Sequence, residues 1–142
     1  MKMHLRISKK QYYLEIAKAV AQRSTCLKRQ YGAVIVSAND EIISTGYNGA
    51  PRGHQNCTDN GFCPRIDVAH NSGDYGSCSS VHAEQNAMLS AARKDMIGGT
   101  LYLVGRDNGN WFAAEPCPIC NRMIQNSGIK NIVSIKEELY SC

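Results

Sequence analysis

The chain has 142 residues, of which 43% are hydrophobic and 20% charged, and this is the composition of one ordinary globular domain. The net charge of +4 suits a small anionic ligand and is too small to indicate duplex binding. No apolar run of about 18 residues indicates a membrane span, and no apolar signal-peptide stretch follows the basic N-terminus. The length predicts a single domain over residues 1–142. Because clustered cysteines indicate metal binding in a reducing compartment, the seven cysteines favour a cytoplasmic protein.

The first third of the chain predicts a helix followed by a hairpin. Apolar residues recur at helical spacing from Ser8, the expected N-cap, to about Arg23. Two β-branched runs, 33–37 and 41–45, flank an Asn-Asp turn and predict two antiparallel strands. Residues 46–81 show no periodicity, and a segment of that length needs something to hold it together.

The rest of the chain alternates helices and strands. The predicted elements are a helix over 83–94, a strand over 100–104, an irregular polar loop over 105–115, a helix from Pro116 to about Gly128, and a strand over 131–135. Strands joined through a helix are normally parallel. The order α-β-β-α-β-α-β therefore predicts an α/β protein, a three-layer α/β/α arrangement with a mixed sheet.

Two short segments carry residues suited to zinc chemistry. His82 and the pair Cys117 and Cys120 fall at predicted helix starts, where a positive helix end favours thiolates. Three such ligands leave a fourth zinc position for water, as catalytic zinc sites do. Glu84, two residues after His82, is placed to move a proton without binding the metal. The pattern H-x-E with P-C-x-x-C is a known signature of zinc-dependent nucleobase deaminases.

Further segments resemble the deoxycytidylate (dCMP) deaminases. They are Arg23 to Cys26, Gly32 to Val36, Gly46 to Pro51, Val81 to Ala87, Pro116 to Cys120 and Asn126 to Lys130. The resemblance covers most of residues 12–135. It implies a cytidine-deaminase-like fold and zinc-dependent hydrolysis of dCMP to dUMP and ammonia. It also implies a homo-hexamer, activation by dCTP and inhibition by dTTP, with Mg²⁺ accompanying the triphosphate.

The resemblance assigns roles to individual residues. A water activated by zinc attacks C4 of cytosine, while Glu84 protonates N3 and assists loss of the amino group. The Ala83 N–H donates to the pyrimidine carbonyl, because amides at a helix start lack intrahelical partners. Asn48 contacts the sugar, although Asn-Gly sequences also favour turns. Ser24, Arg29, Arg52 and Arg122 are candidates for the phosphate contacts, and of these Ser24 and Arg122 are the remaining substrate-binding predictions. For any single arginine, a solvated surface position is the commoner reading. Effector binding is expected at four consecutive residues: Gly46, Tyr47, Asn48 and Gly49.

A second, structural zinc is expected to order the long segment that leads into His82. Structural zinc takes four ligands. The resemblance favours Cys26 and Cys57, with His70 and Cys78 completing the set; Cys63 is the alternate, most easily exchanged with His70. The other reading is that these are small buried thiols and an incidental surface histidine.

Two features of the sequence leave alternatives open. Trp111 and Phe112 are candidates to cover the base, although packing on neighbouring residues is the commoner role of such aromatics. The signature also fits a cytidine deaminase or a tRNA adenosine deaminase, and a zinc-stabilised nucleic-acid-binding module without catalysis is the alternative from another class. A tRNA enzyme is expected to show a basic stripe, which the small positive excess does not supply.

Overall fold

A computed structural model of the chain describes residues 5–67 and 78–136. Its elements in chain order are α1 (Lys9–Ala21), β1 (Arg29–Val36), β2 (Ile42–Tyr47), α2 (Cys57–Asn60), α3 (Ala83–Leu89), α4 (Arg93–Met96), β3 (Thr100–Asp107), β4 (Asn110–Ala113), α5 (Pro118–Ser127) and β5 (Asn131–Val133). Within these described ranges, every helix is too short or too polar to cross a membrane.

The five strands form one mixed sheet centred on β1 and β3. The order is β2-β1-β3, and both neighbouring pairs are antiparallel. The other edge of β3 is shared, because β5 pairs with its first half in parallel and β4 pairs with its second half antiparallel. The predicted hairpin and the predicted parallel pair are therefore confirmed.

Helices cover both faces of the sheet, as the three-layer prediction requires. Alternate residues of β1 point to opposite faces. Ala33 and Ile35 pack with residues of α3 and α5 on one face. Val34 and Val36 pack with residues of α1 on the other. These four strand side chains are at most 3% exposed, so the core lies on both sides of the sheet.

Two sequence-based helix boundaries are wrong. The helix predicted over 83–94 stops at Leu89, and the chain is extended at Ala92 before α4 begins. Burial of Ala91 and Met96 in the core outweighs the helix propensity of the alanines. The last helix starts at Pro118, not Pro116, because Cys117 takes the N-cap.

The predicted loop over 105–115 is mostly a β-hairpin. β3 continues to Asp107, and β4 returns beside it after a tight turn at Asn108 and Gly109. Both turn residues have positive φ, 49° and 80°, which is the backbone of the Asn-Gly turns that close two-residue hairpins. The Asn-Gly pair was the signal for this hairpin in the sequence.

Close contact between β2 and α3 fixes the position of the helix that begins after His82. A Cβ atom on Gly46 would overlap the backbone of Ala83 and Ala87. The Ser44 hydroxyl also donates a 2.7 Å hydrogen bond to the Ala87 carbonyl. The start of α3 is therefore held against the sheet by backbone contact, and no side chain larger than hydrogen fits between them.

Candidate functional site

The N-terminal ends of α3 and α5 meet at a cluster of three potential metal ligands. His82 is the N-cap of α3, and Cys117 is the N-cap of α5. The His82 Nδ1 atom lies 3.5 Å from the Cys117 Sγ and 3.3 Å from the Cys120 Sγ. All three ligand atoms lie within 4.8 Å of one another, and both cysteines are buried. The structure therefore brings together the three residues that the sequence predicts.

The spacing of these atoms fits a zinc ion. Zinc bonds of about 2.0 Å to nitrogen and about 2.3 Å to sulfur, at tetrahedral angles, separate the N and S atoms by about 3.5 Å. The two observed N···S separations match that value. One imidazole and two thiols are also a donor set that zinc prefers over harder cations. Three protein ligands leave the fourth position open, as in catalytic sites.

Burial shifts the pKa values of the histidine and cysteine ligands in opposite directions. Desolvation lowers the pKa of His82, and the nearby Arg65 charge lowers it further. His82 is therefore neutral near pH 7, the form that binds metal. Burial raises the pKa of Cys120, and the charges of Glu84 and Cys117 add to this effect. A bound cation reverses that preference, because a coordinating thiol is deprotonated by the metal.

Glu84 lies beside this cluster in the first turn of α3. Its side chain is 4% exposed, and burial raises its pKa, while contact with Cys120 opposes that shift. Burial therefore favours the protonated, neutral form of the Glu84 carboxyl group. Glu84 does not belong to the ligand cluster. Its environment is that of an acid/base group next to a metal site.

The cluster opens into a cavity whose walls carry positive charge. His82, Glu84 and Cys117 line its base. Lys28, Arg29 and Arg65 also line it, whereas Glu115 is the additional acidic residue there. Arg65 is only 9% exposed, and the Lys28 ammonium donates a 2.7 Å hydrogen bond to its carbonyl. An anionic ligand that reaches the cluster therefore meets several cations.

Asn48 forms part of the cavity wall and is held by several hydrogen bonds. Its side-chain oxygen accepts from the Tyr31 N–H at 2.8 Å and from the Ser24 hydroxyl at 2.7 Å. Its side-chain nitrogen donates to the Arg29 carbonyl at 2.9 Å. Asn48 is 7% exposed and lines the cavity. The sequence indicated a sugar contact or a turn residue, and the structure places Asn48 where a ligand can reach it.

Other predicted site residues occupy different surroundings. Ser24 contacts Asn48 and does not line the cavity. Arg122 is exposed on α5, also outside the cavity wall. Trp111 packs in the core cluster that includes α1, and Phe112 packs edge-on against Tyr31. Neither aromatic side chain lines the cavity, so the commoner role, packing on neighbours, is the one observed.

Sequence reasoning missed Lys28 and Arg65 as residues of the cavity wall. Lys28 precedes β1, and Arg65 lies in a segment with no helix or strand periodicity. No local pattern distinguishes such residues from solvated surface cations. Only the fold, which brings the 61–67 segment next to β1, reveals their position.

Three other cysteines, Cys26, Cys63 and Cys78, line the cavity, and Cys57 is a neighbour of two of them. Burial raises the pKa of Cys26, hydrogen bonds with Ser80 and Ser24 oppose that shift, and the neighbouring thiols of Cys78 and Cys57 add smaller increases. The thiols of Cys63 and Cys78 act in the same direction on Cys57, after burial itself. Among the residues that the structure describes, no three of these four thiols lie within 4.8 Å of one another. His70, the remaining predicted ligand, lies outside the described residues.

Removing a single ligand should empty the zinc site. We expect Cys120→Ala to bind less than a tenth as much zinc at this position as the unmodified chain, because two ligands hold the ion poorly. Glu84→Gln is the control, since it changes a neighbour that does not belong to the cluster. Metal analysis of both purified variants measures the difference. Equal zinc content in the two would contradict the assignment.

Comparison with known proteins identifies the family. The model of the cytidine and deoxycytidylate deaminase zinc-binding region matches residues 7–136. The chain is 41% identical to deoxycytidylate deaminase of Mycobacterium phage D29, over 89% of this chain and 94% of that protein. It is 40% identical to deoxycytidylate deaminase of Schizosaccharomyces pombe, over 86% of this chain but only 35% of the yeast protein.

A solved structure supports the same assignment. The dCMP deaminase of cyanophage S-TIM5, crystallised with dCMP and dUMP, has a TM-score of 0.61. It is 27% identical, and the match covers 92% of this chain and 83% of that one. The cytidine-deaminase-like fold is thus confirmed. A family match over most of the chain, together with a zinc-compatible cluster, places this protein in the cytidine and deoxycytidylate deaminase family.

Proposed function

We propose that this protein hydrolyses dCMP to dUMP and ammonia. The observation that carries the proposal is the buried Glu84 beside the ligand cluster of His82, Cys117 and Cys120, at the base of a cationic cavity. A purely structural zinc has four protein ligands and needs neither a free position nor a buried acid. The relatives named deoxycytidylate deaminase support the choice of substrate over cytidine or a tRNA adenosine.

His82, Cys117 and Cys120 would hold the zinc ion. When bound, zinc acts as a Lewis acid that makes water nucleophilic at neutral pH. Glu84 takes a proton from the attacking water, delivers it to N3, and then assists departure of the amino group as ammonia. The Ala83 N–H, at the first position of α3, donates to the pyrimidine carbonyl. One water is consumed and one ammonia is released for each dUMP formed.

Loss of the acid/base group is the sharpest test of this mechanism. We expect Glu84→Gln to lower kcat by about 10²–10⁴, because the amide keeps the volume but cannot move a proton. The measurement is the loss of cytosine absorbance with dCMP, in protein whose zinc content matches that of the unmodified chain. Near-normal turnover in the zinc-loaded variant would show that Glu84 lacks this role.

Recognition of the 5′-phosphate is assigned to the cationic wall of the cavity. Lys28, Arg29 and Arg65 line the same cavity as Glu84, and an Arg contact to phosphate is charge-assisted. Of the three arginines predicted from the sequence, Arg29 lines that wall, whereas Arg52 and the exposed Arg122 lie outside it. Among the three cations of the wall, Arg65 is the most deeply buried, so its charge is the least screened by solvent.

A single substitution distinguishes phosphate recognition from general damage. We expect Arg65→Gln to lower kcat/KM for dCMP by about 10- to 100-fold, as the loss of one charge-assisted hydrogen bond does, and to leave deoxycytidine turnover nearly unchanged. Lys130→Gln is the control, because Lys130 is an exposed cation far along the chain from the cavity wall. Equal losses with both substrates would remove Arg65 from phosphate binding, and a selective loss in Arg122→Gln would restore the sequence-based prediction.

A second zinc is proposed to hold the segment that precedes His82. Cys26, Cys57 and Cys78 are the proposed ligands, and His70 or Cys63 completes the four. The support is the mutual influence of these thiols, which form one neighbourhood beside the cavity. Cysteines that bind metal as free thiolates are typical of a reducing compartment. The proposed location is therefore the cytoplasm.

The second zinc predicts a defined stoichiometry. We expect two zinc ions per chain in the unmodified protein and one in Cys57→Ser, with a lower Tm, because structural zinc contributes directly to folding. Cys63→Ser tells whether the alternate ligand is used, since it keeps both ions if His70 is the fourth ligand. One zinc per chain in protein purified without chelator would contradict the second site.

Effector binding is proposed at a second cleft, on the other side of the segment 46–49. Gly46, Tyr47 and Gly49 line this cleft, together with the cations Arg23 and Arg52. Asn48 lies in the first cavity instead, because successive side chains of an extended chain point in opposite directions. A triphosphate with Mg²⁺ suits the cationic walls, and dCTP and dTTP are the proposed activator and inhibitor of a homo-hexamer.

Regulation is tested by the dependence of rate on dCMP concentration. We expect dCTP with Mg²⁺ to raise the rate at low dCMP and dTTP to lower it, because each binds two conformations unequally. Arg52→Gln should weaken both effects about 10-fold in effector concentration without changing the rate in their absence. Rate curves that neither triphosphate moves would contradict regulation, and light scattering measures the hexamer independently.

A further inference from the structure

The hydrogen bonds around Asn48 leave its amide with one unused group. The Asn48 Oδ1 atom accepts two hydrogen bonds, from the Tyr31 N–H and the Ser24 hydroxyl, so both of its lone pairs are used. The Nδ2 atom donates one of its two N–H groups to the Arg29 carbonyl. Among the residues that the structure describes, the second N–H of Nδ2 has no protein partner. Asn48 therefore offers the cavity a donor and no acceptor.

This orientation of the amide is fixed by the chemistry of its neighbours. The Tyr31 N–H can only donate, and the Arg29 carbonyl can only accept, so exchanging O and N would leave both without a partner. The Ser24 hydroxyl adds a second donor to Oδ1. The single hydroxyl proton is shared between Oδ1 at 2.7 Å and the Asn48 carbonyl at 2.9 Å, and the hydroxyl oxygen accepts from the Cys26 N–H at 3.2 Å. Ser24 thus connects the side chain and the backbone of Asn48 to the turn that precedes β1.

We infer that Ser24 is a positioning residue, which sets substrate recognition by aiming the free N–H of Asn48 at the sugar. This inference rests on the proposed deamination of dCMP. The deoxyribose of dCMP has one free hydroxyl, at the 3′ position, because the 2′ position lacks oxygen and the 5′ oxygen carries the phosphate. The Asn48 N–H donates to that 3′ oxygen. Ser24 contacts no substrate itself, since it lies outside the cavity wall.

Two substrates separate this role from a merely structural one. The comparison uses dCMP and 2′,3′-dideoxycytidine 5′-monophosphate, which lacks the 3′ oxygen. We expect Ser24→Ala to lower kcat/KM for dCMP by about 3- to 10-fold, the effect of one hydrogen bond, chiefly through KM. The same variant should leave kcat/KM for the dideoxy nucleotide unchanged, because that nucleotide has no 3′ oxygen to accept a hydrogen bond from Asn48.

Matched variants complete the experiment. Ser24→Thr keeps the hydroxyl and should restore the preference for dCMP. Ser127→Ala is the control, because it also removes a buried serine hydroxyl that bonds the main chain, at the far end of α5. It should leave the ratio between the two substrates as it is in the unmodified protein. If Ser24→Ala does not fold, Ser24→Cys, with a thiol as weak donor, carries the same comparison.

The outcomes distinguish this inference from the proposed function. Absence of dCMP turnover by the zinc-loaded unmodified protein would overturn the deaminase proposal. Equal losses for both nucleotides in Ser24→Ala, or no loss for either, would overturn the role of Ser24 alone. Dissociation constants of the two nucleotides, measured with and without Ser24→Ala in Glu84→Gln, give the same ratio without turnover. A selective loss of dCMP affinity there supports the inference even if catalysis is slow.

Discussion

The meeting of two helix N-termini on one face of the sheet is the constraint on which the site depends. The caps of α3 and α5 supply His82 and Cys117, and Cys120 follows one turn later. Helix ends present unpaired N–H groups and a partial positive charge, which favour thiolates and bind a ligand carbonyl. Moving either helix by 1 Å would separate the N and S atoms, which now lie at the spacing zinc requires. Close backbone contact between Gly46 and α3 holds the start of that helix against the sheet.

The same arrangement explains why Glu84 is buried. α3 packs directly on β2 and β1, so the side chain of Glu84 in its first turn has little access to water. Burial raises the pKa of Glu84, whereas His82 at the cap becomes a weaker base and a better neutral ligand. Desolvation therefore shifts the two pKa values in opposite directions but favours the neutral form of both residues, which lie two positions apart in the chain. One buried environment thus favours the neutral imidazole that binds metal and the protonated carboxyl group beside it.

The elements that the sequence predicted well are those with a local signal. The Ser8 cap, the hairpin, the parallel pair and the metal ligands each follow from spacing or cap chemistry within a few residues. The break after Leu89 was not predictable in that way, because it depends on the burial of Met96 against distant strands. Lys28 and Arg65 were missed for the same reason, since only tertiary contact makes them neighbours.

Two short segments separate the cavity at the metal cluster from the cleft on the other side. Asn48 lines the cavity, and Ser24 donates a hydrogen bond to its side chain. The residues next to them in the chain, Thr25 and Tyr47, line the cleft. The segments are joined by the bond from the Thr25 N–H to the Asn48 carbonyl, at 3.3 Å. A ligand that moves Tyr47 or Thr25 therefore acts on backbone that also carries Asn48. The cavity and the cleft are thus separated by a single layer of chain.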